Sequence, residues 1–166
     1  MKVIILTGPP RAGKNTIGEL LAKRMKAGVF IDVDKVRWMI IKGHKAPWEG
    51  EEGSKQQELG VKNTCQLSVN FLGSGYDVVI ADVLNTKTVG IYRSQLSRFN
   101  LKIVLLLPSF EELERRSKYR PAFLRESEIK MIYEQQSKFS DYDLVIDNSK
   151  LSAEEVTKKM DELFDK

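Results

Sequence analysis

The segment Gly8-Pro9-Pro10-Arg11-Ala12-Gly13-Lys14-Asn15-Thr16 constrains this chain more than any other. It follows the apolar run Lys2–Thr7, which predicts a buried strand. It opens the stretch Lys14–Lys26, where Ile17, Leu20, Leu21 and Met25 share one helix face. A glycine-rich turn between a strand and a helix wraps backbone N–H groups around phosphate oxygens. Glycines at its ends permit backbone angles and close approaches that side chains would block. The helix N-terminus adds its dipole, and Lys14 adds a point charge toward β- and γ-phosphates. Every residue from Gly8 to Thr16 is therefore a candidate for nucleotide-phosphate binding. The hydroxyl residue that commonly follows the lysine and meets Mg²⁺ is replaced by Asn15, with Thr16 one place later. An amide oxygen at Asn15 can still ligate or hydrogen-bond a hydrated magnesium.

The side-chain inventory excludes several other chemistries. Among 166 residues there is one histidine, His44, and one cysteine, Cys65. They cannot make an intramolecular disulfide or a Cys/His zinc site. A Ser-His-Asp or Cys-His mechanism would rest on His44 alone. Lys and Arg number 27 against 23 Asp and Glu. That small excess suits an anionic small ligand and does not by itself mark a nucleic-acid binder. No stretch approaches the roughly 20 apolar residues of a membrane helix, and the run Val3–Leu6 is shorter than a signal-peptide core. A cytoplasmic protein, monomer or homodimer, without a membrane partner, is the expectation.

Four further apolar runs, Val29–Asp32, Asp77–Asp82, Lys102–Leu107 and Asp143–Asp147, are nearly continuous rather than alternating. That is the pattern of a parallel sheet covered on both faces. Helical spacing fills much of the chain between them. Val36, Met39 and Ile40 mark a short helix over Lys35–Ile41, and Ser54 with Gln57 reads as a capping box opening a helix to about Leu72. Phe110–Ser117, Glu126–Phe139 and Ser152–Phe164 supply three more, the last with Ser152 and Glu155 as a second capping box. Strands alternating with helices predict one doubly wound α/β domain over residues 1–166. Two segments break the rhythm. Residues 42–53 carry three glycines, Pro47, Trp48 and His44 without a period, and 118–125 is basic and contains Pro121. Both are expected as mobile loops over a site at the carboxyl ends of the strands.

Carboxylates stand at two of those strand ends. Asp32-Val33-Asp34 closes the second strand, with Arg37 three residues on. Asp34 is placed to accept a proton from an attacking hydroxyl or to cap the following helix, and Arg37 to hold an anionic part of the acceptor or to lie on a solvated face. Asp82, after four apolar residues, is placed to face hydrated Mg²⁺ or to serve as a turn acid. Arg115, Arg116, Lys118, Arg120 and Arg125 crowd one short segment. Arg116 and Arg120 share a face if the helix continues, and an arginine closing over a transferring phosphoryl group stabilises its charge. A solvated basic face is the plainer alternative. Trp48 reads as a packing residue or a platform in an acceptor pocket, Cys65 as a buried apolar residue, and His44 as a surface residue.

Taken together, the phosphate loop, Asp32-x-Asp34, Asp34-x-x-Arg37, the strand ending in Asp82 and the arginine-rich segment resemble the small P-loop kinases. Within them the likeness is to the chloramphenicol phosphotransferase-like and polynucleotide-kinase-like group of AAA-type ATP-binding phosphotransferases, over nearly the whole chain. It implies a three-layer α/β/α P-loop NTPase fold with a five-stranded parallel sheet in order 2-3-1-4-5. It further implies ATP on the loop, an acceptor loop at about 42–53 and a lid at about 115–125. By the same resemblance Asp34 is the general base and Arg37 contacts the acceptor. Asp32, together with Asn15 and Asp82, serves magnesium, as the similar two-acid spacing of shikimate kinase implies for Asp32. Arg116 and Arg120 are then lid arginines, and the adenine lies near Asn148–Leu151. The Lys14-Asn15-Thr16 run departs from the common G-K-S-T.

The activity these features imply is transfer of the γ-phosphate of Mg-ATP to a hydroxyl of a small-molecule acceptor. A 5′-hydroxyl polynucleotide kinase is one alternative. Asp34-x-x-Arg37 supports it, while the modest charge and missing aromatic platforms oppose it. A non-catalytic ATP-binding protein is the other, opposed by the presence of a base, a magnesium acid and lid arginines in one chain.

Overall fold

Each apolar run becomes a strand because its residues have somewhere to go on both sides. A computed structural model describes residues 1–119 and 124–164. The strands are β1 (Lys2–Thr7), β2 (Gly28–Asp32), β3 (Asp77–Ala81), β4 (Asn100–Leu106) and β5 (Leu144–Ile146). They pair in parallel in the order β2-β3-β1-β4-β5, as anticipated. The helices are α1 (Lys14–Arg24), α2 (Val33–Arg37), α3 (Gly50–Gly73), α4 (Thr86–Gln95), α5 (Phe110–Ser117), α6 (Glu126–Lys138) and α7 (Ala153–Phe164).

Successive residues of the central strand enter different cores. Val3 and Ile5 pack with Val61, Cys65 and Leu72 of α3 and with Val89 and Tyr92 of α4. Ile4 and Leu6 pack with Ile17 and Leu21 of α1 and with Val156 and Met160 of α7. The two-residue period is present, but both faces are buried, so the sequence shows a solid apolar run. The result is three layers, with the carboxyl ends of all strands opening on the same edge. There a buried polar ring fixes the edge of the sheet. Thr7 Oγ1 donates to Gln136 Oε1 of α6 at 3.0 Å, Gln136 Nε2 donates to the Leu84 carbonyl at 2.8 Å, and the Leu84 N–H donates to Thr7 Oγ1 at 3.0 Å.

Several expectations need correction. Helix α4 was not foreseen; Asn85 caps it, accepting from the Lys87 and Thr88 N–H groups, while Thr88 Oγ1 accepts from the Asn85 N–H. Ser54 does not open α3, which begins at Gly50, so Ser54 already lies inside the helix. The box at Ser152 and Glu155 does form. Helix α2 starts two residues before the expected Lys35 and is over by Arg37. Residues 50–53 of the expected acceptor loop are helical, and α5 ends at Ser117 with a turn at 118–119. Among the described residues no helix is long and apolar enough to cross a membrane.

Close packing between α1 and β2 yields a test. A Cβ on Gly28 would lie 2.1 Å from the carbonyl oxygen of Ala22 and 2.9 Å from its carbonyl carbon. Backbone cannot yield as a side-chain tip can. Gly28→Ala is expected to destabilise the protein by about 1–3 kcal/mol, read as a lower urea midpoint at unchanged slope.

Candidate active site

The loop after β1 takes the shape its glycines permit. Gly8 has φ +140°, and a Cβ there would sit 2.2 Å from the Leu106 carbonyl oxygen of β4, so only glycine fits. Gly13, at φ +93°, enters α1 from the left-handed region. Lys14 folds back over the loop, donating from Nζ to the carbonyls of Gly8 at 2.7 Å and Pro9 at 2.9 Å. Burial pulls the Lys14 ammonium down to about 8, partly offset by the nearby carboxylates of Asp34, Asp82 and Asp32. The lysine and the three strand-end acids therefore form one electrostatic unit.

Asp32, not Asp34, caps α2. Its Oδ1 accepts from the Asp34 N–H at 3.0 Å, while its Oδ2 accepts from Asn15 Nδ2 at 2.8 Å. Asp34 is left with 71% of its side chain exposed, 3.3 Å from Arg37 Nη1. Arg37 is buried. Its Nη2 donates to the Lys45 carbonyl at 3.1 Å, and its stem lies over Gly60, where a Cβ would be 2.4 Å from Arg37 Cγ. The exposed-face alternative for Arg37 is thus excluded.

The segment before α3 is pinned rather than mobile. Gln56 clips it: Oε1 accepts from the Lys45 N–H and Nε2 donates to the Gly43 carbonyl, both at 2.8 Å. The His44 and Trp38 rings lie tilted at 43° with centroids 5.3 Å apart, and among the described residues His44 Nδ1 is buried with no hydrogen-bond partner. A plain surface role for His44 is therefore corrected. Trp48 is 38% exposed on the turn at 47–48, and no hydrogen bond or ring contact among the described residues joins it to Asp34 or Arg37.

Asp82 closes β3 as a buried carboxylate. Oδ1 accepts from the Val83 N–H at 2.7 Å and Oδ2 accepts from Tyr92 Oη of α4 at 3.0 Å. Burial pushes Asp82 up to about 6 and Tyr92 well above the ordinary phenol range. Cys65 is fully buried and pushed up to about 12, consistent with an apolar role. The sequence signal for Tyr92 is the helical spacing of Val89, Tyr92 and Leu96 after Asn85, which lacks the usual Glu or Gln of a capping box.

Arg116 does not stand free over the loop. It donates from Nη1 to the Arg11 carbonyl at 3.2 Å, from Nη2 to the Asn148 carbonyl at 2.8 Å and from Nε to Glu112 Oε1 at 2.7 Å. Glu112, hydrogen-bonded to Arg115 and Arg116, is held down at about 2. Asn148 is buried and donates Nδ2 to the Ala12 carbonyl at 2.8 Å. Arg120 lies outside the described residues.

A family model described as chloramphenicol phosphotransferase-like protein matches residues 1–165. The chain belongs to the chloramphenicol phosphotransferase-like family. A shikimate kinase of Pseudomonas entomophila is 38% identical over 87 residues, which cover 49% of this chain and 49% of that relative. The chain thus spans about half the length of that relative. Among solved structures, the APS kinase of Mycobacterium tuberculosis in complex with AMPPNP and APS superimposes with a TM-score of 0.76 at 16% identity, covering 99% of this chain and 98% of that one. A sugar kinase from Janibacter sp. gives a TM-score of 0.74 at 15% identity, with 99% and 95% covered. The fold is that of the P-loop kinases.

In this family member the residues present suit a hydrated magnesium ion. Asp32 and Asp82 each have both oxygens in one hydrogen bond, which leaves lone pairs for metal-bound water. Asn15 donates its amide nitrogen to Asp32, a bond that does not use its oxygen's acceptor capacity. Among the described residues no group of three or more His, Cys, Asp or Glu forms a metal cage. Mg²⁺ needs none, since it keeps waters and takes phosphate oxygens.

Asp82 is a stability cost at neutral pH. Its value, about 6 in the folded protein, lies above its unfolded value of about 3.9. The folded state therefore binds more protons between those values, and stability is gained as pH falls. Asp82→Asn in EDTA is expected to be more stable than wild type by about 1–3 kcal/mol at pH 8. The gain should vanish toward pH 4, as urea titrations at the two pH values will show.

Proposed function

We propose that this protein transfers the γ-phosphoryl group of ATP to a hydroxyl of a small-molecule acceptor. The observation that carries this is the Asp34 carboxylate. It is open to solvent, bonded to buried Arg37, and first among the carboxylates acting on Lys14. A base at the open edge beside the phosphate loop is what an acceptor hydroxyl requires. The family match and the similarity to proteins named shikimate, APS and sugar kinases support a small acceptor.

Asp34 takes the acceptor's proton as the hydroxyl oxygen bonds to the γ-phosphorus and the bond to the departing ADP oxygen breaks. Arg37 fixes the Asp34 carboxylate and lines the acceptor side, where Trp48 offers an exposed ring. Backbone N–H groups of the loop and the Lys14 ammonium bind the phosphates. Asp32, Asp82 and Asn15 would hold a hydrated Mg²⁺, which would supply charge neutralisation for the phosphates. Arg116 acts by holding the loop from its carbonyl side, and the adenine lies near Asn148.

A labelled-phosphate screen headed by chloramphenicol and shikimate identifies the acceptor. On that acceptor, Asp34→Asn is expected to lower kcat by about 10²–10⁴ while leaving AMPPNP affinity within about twofold. Undiminished turnover by the mutant overturns the assignment of the base. A second measurement uses the titrations of the free enzyme. The pH profile of kcat/KM for ATP is expected to be bell-shaped, falling below about 6 as Asp82 gains its proton and above about 8 as Lys14 loses its own.

A further inference from the structure

Arg11 is the only residue other than glycine, among the described residues, whose backbone has a positive φ, +67°. A side chain in that region costs free energy that glycine does not incur, and such strain persists where the surroundings impose it. Here the surroundings are the last turn of α5. Arg11 Nη1 donates to Ser117 Oγ, and that hydroxyl donates in turn to the Leu113 carbonyl at 2.7 Å. The neighbouring residue makes the return contact, with Arg116 Nη1 donating to the Arg11 carbonyl at 3.2 Å. Two bonds of opposite direction, on adjacent residues of α5, thus join the tip of the loop to the helix. Arg116 is anchored further by Glu112 and the Asn148 carbonyl. A glycine at position 11 would relax the backbone and lose the first of the two bonds.

We infer that Arg11 is a positioning residue whose side chain seats the last turn of α5, and with it Arg116, against the phosphate loop. Through that seat α5 sets the shape in which the loop meets a nucleotide. The inference rests on the nucleotide-binding role of the loop proposed above. A guanidinium that touched phosphate directly would not need Ser117, so the serine separates the two possibilities.

The test measures AMPPNP affinity by calorimetry, with Mg²⁺ present, for the full chain and for Arg11→Gly, Arg11→Asn, Ser117→Ala and the Arg11→Gly/Ser117→Ala double mutant. Asparagine tolerates the left-handed region without supplying a guanidinium. Each single substitution is expected to weaken binding roughly five- to tenfold, somewhat less than the full worth of a charge-assisted hydrogen bond, because only the loop's share of the lost contact reaches the ligand. The double mutant should bind within twofold of Arg11→Gly, because both changes remove the same contact. The ligand-free thermal midpoint of Arg11→Gly should not fall below that of wild type. Wild-type affinity in Ser117→Ala, multiplying effects in the double mutant, or a midpoint that falls with affinity would overturn the inference. Failure of the wild-type protein to bind AMPPNP would instead overturn the nucleotide-binding role itself.

Discussion

A loop that turns its N–H groups toward phosphate leaves its carbonyls toward the protein, and each of those needs a donor. Much of the architecture around the site is the supply of those donors. Lys14 Nζ serves Gly8 and Pro9, Arg116 serves Arg11, Asn148 serves Ala12, and the Ile17 N–H serves Gly13 at 2.9 Å. They come from α1, from α5 and from the segment after β5. Elements far apart in the chain thus converge on one turn. Removing a donor leaves a carbonyl to find water or to move, and a moved carbonyl rotates the N–H on the far side of the same peptide plane. Residues that touch no phosphate can therefore still shape the phosphate site.

The region around α2 depends on the same sharing of polar groups. Asp32 divides its oxygens between the first turn of α2 and Asn15 at the start of α1. One carboxylate therefore fixes the angle between the loop helix and the helix that carries Asp34 and Arg37. Arg37 in turn spans from Asp34 to the Lys45 carbonyl, and Gln56 holds the neighbouring backbone at Gly43 and Lys45. The segment before α3 is irregular in its dihedrals but not loose, since its polar backbone is paired with side chains of helices.

That difference explains what the sequence made legible. The strands, the phosphate loop and the carboxylates at the strand ends are legible because each is a local pattern: an apolar run, glycines at fixed spacing, an acid at the close of a strand. The order of the strands is not local and comes only with the family resemblance. Helix α4 escapes the usual signature because its box pairs Asn85 with Thr88 rather than with Glu or Gln, and its buried face includes a tyrosine. Ser54 misled because a serine three residues before a glutamine satisfies the capping pattern wherever it falls, even inside a helix. Gly43 and Pro47 mark irregular backbone, whereas Gly50 and Gly53 fall inside α3, and the amide that pins the irregular part, Gln56, lies on that helix. Arg116 reads in the sequence as a lid cation, but which partner it takes depends on how α5 meets the loop, and no local pattern records that.

The buried charges at the strand ends show how the fold accommodates the site. Burial is the largest influence driving Asp82 up and Lys14 down, toward each other, so both are charged together only in a narrow range near neutrality. The fold resists this with hydrogen bonds that favour the carboxylate, from the Val83 N–H and Tyr92 Oη, and with the attraction of the acids for the ammonium. An anion arriving at Lys14 favours its charged form, and whatever stabilises the ionised Asp82 lowers that group in turn. By linkage, a ligand that widens the charged range also stabilises the fold that holds it.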